Sequence, residues 1–213
     1  MLVTIFAVTR TSLSTQDSNA MAPIETYLVQ FGIGPGLPEL ALSFDEGRIE
    51  LHASADLKQS YDFFANKPGI SWSTTLAPYA SVFFMDNGPD RGTEVSSSFF
   101  PFVHSLWTDC TTGRLDGCGR TVVPWRRPGN TAAEPNRYTF LLFVHDAPLS
   151  LLGEPAVLAT LEKAFNDGND VLLPYTKEQQ PLMSMLSDFS YARLLSDNVG
   201  MRAVSYTFMS VHG

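Results

Sequence analysis

The chain has 213 residues, 44% of them apolar and 17% charged, with 14 Lys+Arg against 22 Asp+Glu and a formal net charge of −8. That length carries one domain with a full core, and that apolar fraction offsets the ordering entropy that would otherwise leave a chain disordered. An acidic balance argues against nucleic acid as the main partner, because phosphate neutralisation needs a basic face, and no run of 18 apolar residues is present to make a transmembrane helix.

In chain order, Leu2 to Val8 is a short apolar run and Ser18-Asn19-Ala20 offers small residues at signal-cleavage spacing. The run lacks a positive flank, so residues 1–22 read as a leader or a disordered N-terminus, and 23–213 as a single domain. Leu40 to Phe44 and Ile49 to Leu51 predict a hairpin around Asp45-Glu46-Gly47. Lys67-Pro-Gly-Ile-Ser-Trp72 reads as a turn feeding a strand. Four strands follow at Tyr79 to Met85, Phe102 to Thr108, Thr121 to Trp125 and Tyr138 to Val144. Several are apolar on both faces, as central strands are. Residues 126–135, with two prolines and a glycine, read as a loop. Beyond residue 150 the period changes. Pro155 opens a helix whose apolar face is Val157, Leu158, Leu161, Ala164 and Phe165, with Gly168 as its stop. A second helix is predicted over 188–196, with Phe189, Leu194 and Leu195 as a core stripe. The class is mainly β with a few helices.

The two cysteines, Cys110 and Cys118, flank a loop containing Gly113 and Gly117. The spacing allows a disulfide in an oxidising compartment and two thiols in a reducing one. A disulfide together with a working signal would mean secretion, and the sequence leaves cytoplasmic and secreted locations both open. Arg114, Arg120, Arg126, Arg127 and Arg137 are five of the ten arginines, and they fall within 24 residues. They read either as solvated loop residues or as a rim attracting a small anion.

Apolar strands that end on or enclose polar groups mark the candidate site. Asp86 closes one run, His104 sits inside the next, and Arg137-Tyr138 opens the third. His104 is the natural proton carrier near neutral pH. Asp86 would raise its pKa and fix its tautomer, and Tyr138 and Asn136 would donate to an oxyanion. Ser105 is expected on the opposite strand face from His104. His52, His145 and His212 read as isolated surface or loop residues, and no metal-spaced cluster or phosphate loop is present. A buried Asp–His pair that does no chemistry is the competing structural reading.

The order of these motifs resembles the phosphatidylethanolamine-binding protein family, which includes the Raf-kinase-inhibitor and plant flowering-regulator branches. It is carried by Lys67-Pro-Gly-Ile-Ser-Trp72, Tyr79 to Asp86, the His104 strand, Asn136-Arg137-Tyr138-Thr-Phe-Leu-Leu-Phe143, Phe189-Ser-Tyr-Ala-Arg-Leu-Leu195, Gly200-Met-Arg-Ala203 and Tyr206-Thr-Phe208. The resemblance covers roughly residues 38–209. It implies an antiparallel β-sandwich of two sheets with peripheral helices and an anion-binding pocket at one end. It places Asp86 at the first Asp of the family's Asp-Pro-Asp-x-Pro motif, His104 at the pocket-strand histidine and Phe102 at an aromatic position. Arg137-Tyr138 falls at the end of Gly-x-His-Arg-Tyr. Two departures stand out: Asp86-Asn-Gly-Pro-Asp90 displaces or loses the second Asp, and Asn136 replaces the motif histidine.

The candidate catalytic residues are therefore His104, Asp86 and Tyr138, and the candidate ligand-binding residues Phe102, Trp107, Trp125, Arg126, Asn136 and Arg137, with no metal and no cofactor. The expected partner is a small anionic or carbonyl-bearing metabolite, and a homodimer is compatible with the sequence. A changed lining in a retained frame points to a changed ligand. Divergent family members of fungal secondary metabolism are implicated in dimerising maleic-anhydride monomers into maleidrides, which makes a cyclase or dimerising enzyme acting by proton abstraction the leading expectation. The alternatives are a non-catalytic regulator binding lipid head groups or partner proteins, and a secreted ligand-binding protein.

Overall fold

The computed structural model describes residues 28–29, 33, 36–44, 49–51, 55–58, 62–89, 102–130, 133–149, 160, 163–167, 177, 180–187, 194–196 and 198–213. The expected leader, the turn at 45–47, Asp90, His52, Pro155 to Leu158, Leu161, Gly168 and Phe189 lie outside them. The strands are β1 (Leu42–Phe44), β2 (Ile49–Leu51), β3 (Ala55–Lys58), β4 (Gly69–Ile70), β5 (Tyr79–Pro89), β6 (Phe102–Cys110), β7 (Cys118–Val123), β8 (Asn136–His145) and β9 (Arg202–His212). A helix, α1 (Gln180–Ser187), precedes β9.

Two sheets result. The smaller runs β2-β1-β4 and the larger β3-β9-β8-β5-β6-β7. The predicted hairpin forms, with Leu42 opposite Leu51 and Phe44 opposite Ile49. The all-antiparallel expectation needs one correction: β3 runs parallel to β9, with Ala55 opposite Met209 and Lys58 opposite His212. A parallel pair needs a long connection, and here strands β4 to β8 lie between its two members in the sequence.

The period-two alternation of the central strands builds two cores, one on each face of the large sheet. Val82 and Phe84 of β5, Tyr138, Phe140 and Leu142 of β8, and Met209 and Val211 of β9 meet Leu42, Phe44 and Ile70 of the small sheet. Phe83, Met85, Leu141 and Phe143 point the other way and pack with Leu186 of α1 and Leu194. A strand buried on both faces has no polar alternation to show, which is why these strands read as continuous apolar runs. Ala164 and Phe165 of the first predicted helix and Leu195 of the second pack against this second core.

β6 and β7 form a hairpin closed by a Cys110–Cys118 disulfide between directly opposed residues. The turn needs Gly113, whose φ is +69° and where a Cβ would meet the Trp72 carbonyl oxygen at 2.6 Å. Cross-linking a loop with a sequence separation of 8 should stabilise the fold by about 2.5 kcal/mol through the unfolded state. We expect the Cys110→Ser, Cys118→Ser double variant to lose that amount in urea unfolding; an unchanged midpoint would mean that the β6–β7 ladder alone sets the register.

Candidate functional site

Asp86, His104, Asn136 and Tyr138 converge at one end of the large sheet, and the local backbone explains how. Asp86 stands near the end of β5, opposite Phe102 of β6 and Tyr138 of β8. Its Oδ1 accepts the backbone N–H of Gly88 at 2.8 Å, an Asx-type turn. Gly88 adopts φ +76°, a left-handed conformation that glycine takes without cost, and the ladder to β8 shifts register between Asp86 and Pro89. The other carboxylate oxygen accepts from Asn136 Nδ2 at 3.0 Å.

His104 arrives by a β-bulge. Phe84 pairs with Ser105 and the next residue, Met85, pairs with Val103, so His104 is the extra residue on β6. Bulges of this kind re-aim a side chain. The expectation that Ser105 faces away from His104 is corrected by the same feature. Ser105 is paired with Phe84, and the His104 ring meets the Phe84 ring at 5.5 Å. Ser105 is nonetheless committed to structure: its hydroxyl donates to the Pro124 carbonyl and accepts the Arg126 N–H, each at 3.0 Å.

The imidazole stands edge-on to three rings, Phe84, Phe102 and Tyr138, at centroid distances of 5.5, 5.3 and 5.2 Å. Its Nε2 is 3.9 Å from Asp86 Oδ2, close enough for charge interaction and too far for a hydrogen bond. Its Nδ1 is buried and meets no partner at hydrogen-bond geometry, while the backbone of Arg126 and Arg127 lies near enough to act on the ring. Burial, and after it the charge of Arg126, lowers the His104 pKa to about 3, with the backbone of Arg126 and Arg127 acting in the opposite direction. The ring is therefore neutral at pH 7. Burial raises the Asp86 carboxyl above its usual range, against the pull of Gly88, Asn136 and Tyr138.

Tyr138 braces the segment that follows β7. Its hydroxyl accepts the Gly129 N–H at 3.1 Å and lies 3.0 Å from the Gly129 carbonyl, to which it donates. Asp86 competes for the same proton. Burial and the Asp86 charge push the phenol far above its ordinary range, so it stays protonated. Asn130 holds the same segment from beneath, donating to the carbonyls of Glu134 and Val211. Among the described residues no group of three or more His, Cys, Asp or Glu is arranged to hold a metal.

The other sequence candidates divide. Phe102 lies against the His104 ring, and the Arg126 guanidinium sits 5.7 Å from the Phe102 centroid. Trp107 and Trp125 belong to the sandwich core. Trp107 is 3% exposed, Trp125 stacks on Phe84 at 5.1 Å, and its Nε1 donates to the Phe64 carbonyl. Arg137 is turned away. Alternation along β8 puts Asn136 and Tyr138 on one face and Arg137 on the other, where its guanidinium lies 5.1 Å from the Phe208 ring. His145, expected at a surface or loop position, is buried at the far end of β8, bonded to Ser81 Oγ at 2.9 Å and to the Ala147 carbonyl. Sequence reasoning missed Gly129, whose backbone brackets the Tyr138 hydroxyl; no side-chain signal could have marked it. An open concavity of about 490 Å³ lies on the small sheet, with Ser43 and Gly69 in its lining and Glu50, Arg114 and Asp116 around it. None of the sequence-predicted site residues lines it.

The fold is similar to that of several solved proteins. The phosphatidylethanolamine-binding protein of Plasmodium vivax superposes with a TM-score of 0.54 at 14% identity, over 90% of this chain and 97% of that one. The fold is that of the phosphatidylethanolamine-binding proteins. The Plasmodium falciparum phosphatidylethanolamine-binding protein gives a TM-score of 0.52 at 14% identity, covering 91% and 99% of the two chains. A carboxypeptidase Y inhibitor, solved in complex with its cognate proteinase, gives 0.52 at 11% identity, covering 92% and 98%. The sequence matches no protein-family model and no curated relative. At these identities the likeness carries the phosphatidylethanolamine-binding-protein fold alone.

Proposed function

We propose that this chain is a small-molecule-binding protein whose ligand sits at the Asp86–His104 end of the sandwich and carries an oxyanion. One observation supports this above the rest: His104 Nδ1 is buried and unpartnered inside a ring of aromatic side chains. Buried ring nitrogens normally find a partner, and an orphaned one costs about 1–3 kcal/mol. A bulge that places it there, beside a carboxylate and with the Arg126 charge close by, suits a ligand that completes the set. The fold shared with ligand-binding and proteinase-binding proteins is in keeping with this reading.

Binding is favoured over turnover on chemical grounds. Proton abstraction by His104, as a cyclase or maleidride-type dimerising enzyme would need, asks for a base poised near neutrality. A ring held at about 3 is a weak base, and the Tyr138 hydroxyl is already engaged with Gly129. The secreted variant of the binding reading draws on the Cys110–Cys118 disulfide, a linkage that persists in oxidising compartments.

The test is a thermal-shift screen of wild type against His104→Ala with phosphate, phosphorylethanolamine, citrate and substituted maleates. A ligand at about 100 times its Kd should add roughly 2.7 kcal/mol to wild type and markedly less to the variant. Equal shifts in both proteins would remove His104 from the site. Conversion of a maleic anhydride by wild type would move the reading to the enzyme.

A further inference from the structure

We propose that oxyanion binding at this site is coupled to uptake of one proton by His104, so that the bound imidazolium donates Nδ1–H to the ligand and Nε2–H to Asp86. The inference rests on the binding reading above and says how that binding is regulated.

The geometry is that of a ring waiting between two acceptors. A neutral imidazole carries one N–H, so it can serve one acceptor at a time. With the hydrogen on Nε2, toward Asp86 Oδ2 at 3.9 Å, Nδ1 presents a lone pair that repels an oxyanion. With the hydrogen on Nδ1, Nε2 presents its lone pair to the carboxylate. Only the doubly protonated ring satisfies both partners. Three other local donors are engaged: Asn136 Nδ2 with Asp86, Tyr138 Oη with Gly129, and the Arg126 backbone N–H with Ser105; the Arg126 guanidinium is a further cation that a bound oxyanion would meet beside the ring.

Among the described residues, the titratable and charged groups facing the ring are Asp86 from β5, Tyr138 from β8 and Arg126 from the segment after β7. Tyr138 stays protonated throughout. Arg126 disfavours a second positive charge on His104 in the free protein, and an oxyanion beside both cations removes that repulsion. Burial, which holds the ring neutral when the site is empty, acts on a compact ion cluster once it is filled. The proton comes from solvent and is returned when the ligand leaves.

Sulfate is the probe, because it does not titrate in the working range and any proton taken up must go to the protein. Its affinity for wild type should rise by close to tenfold for each unit of acidification between about pH 6.5 and pH 4.5. Calorimetry at about pH 6 in buffers of different ionisation enthalpy should register roughly one proton taken up per sulfate bound. Nitrogen-15 NMR should show both His104 ring nitrogens protonated in the sulfate complex and one in the free protein. His104→Gln, which keeps a polar side chain without a titration, should bind sulfate with a flat pH profile. Sulfate affinity independent of pH in wild type, or an undiminished slope in His104→Gln, overturns the coupling and leaves the binding site standing. No binding of sulfate or of any ligand in the thermal-shift screen, even at the acid end, overturns the site itself.

Discussion

Replacing Phe84 with alanine should cost about 3–5 kcal/mol. Phe84 is fully buried at the middle of β5. Its ring stacks on Phe140 at 4.2 Å, Trp125 at 5.1 Å and Tyr138 at 5.6 Å, and meets His104 edge-on at 5.5 Å. Truncation removes both the transfer free energy of the ring and the aromatic contacts, and the rigid sheet beneath cannot collapse to fill the void. Phe84→Leu should lose roughly half as much, since it keeps most of the apolar volume. Urea unfolding with a common slope for the three proteins is the measurement. A Phe84→Ala loss below about 1 kcal/mol would show that the sandwich core repacks around the gap, contrary to close packing. Because the ring also walls His104, thermal-shift responses in Phe84→Leu should weaken even where the fold survives.

The same residue shows what was legible beforehand. Tyr79 to Met85 reads as a central strand because every position is apolar or small, and it is one. Its end was misjudged: β5 continues through Asp86 to Pro89, because Asp86 and Asn87 satisfy their side chains internally with Gly88, Asn136 and Thr139. Buried polar residues at a site break the composition rules by which strands are bounded. β3 and α1 went unread for different reasons. Ala55–Lys58 is too short and polar to signal a strand and gains its place by pairing with β9. The α1 segment carries Pro181 in its first turn with Leu182 and Leu186 at helical spacing, a usable signal that was passed over.

At the site, residue identity was readable and residue direction was only partly so. Asp86, His104, Asn136 and Tyr138 lie together. Arg137 does not join them, and strict alternation along β8 already required that. Ser105 joins the His104 face because a bulge breaks alternation on β6, and no local composition marks that bulge. The tryptophans fill the core, as large aromatic residues on a strand face usually do. Period-two reasoning thus holds where the ladder is regular and fails at the β6 bulge that brings His104 into the site.

The second large effect is on stability against pH. His104 in the folded protein titrates at about 3, against 6.5 for an unperturbed histidine. Between those values the unfolded chain holds a proton that the folded chain does not, so stability rises with pH across the window and falls on acidification through it. The slope should approach 1.4 kcal/mol per pH unit, for a total on the order of 4 kcal/mol between neutrality and about pH 3.5. Asp86 acts with the opposite sign. Its folded pKa is raised above the ordinary aspartate value of 3.8, so between the unfolded and folded values the folded protein holds the extra proton, and stability falls as pH rises. The two groups partly offset each other above the ordinary Asp86 value of 3.8, and Asp86→Asn should steepen the acid loss there. His104→Gln should remove the His104 slope between about 3 and 6.5 and leave that of Asp86, which has the opposite sign. Urea unfolding at half-unit pH steps in chloride buffer reads all three proteins. A wild-type profile without slope between about pH 6.5 and pH 4.5, or a His104→Gln profile that retains it, would mean that the buried ring is already protonated. Repeating the series in sulfate joins this prediction to the site: a bound oxyanion that stabilises the imidazolium should remove most of the acid slope from wild type and leave His104→Gln unchanged.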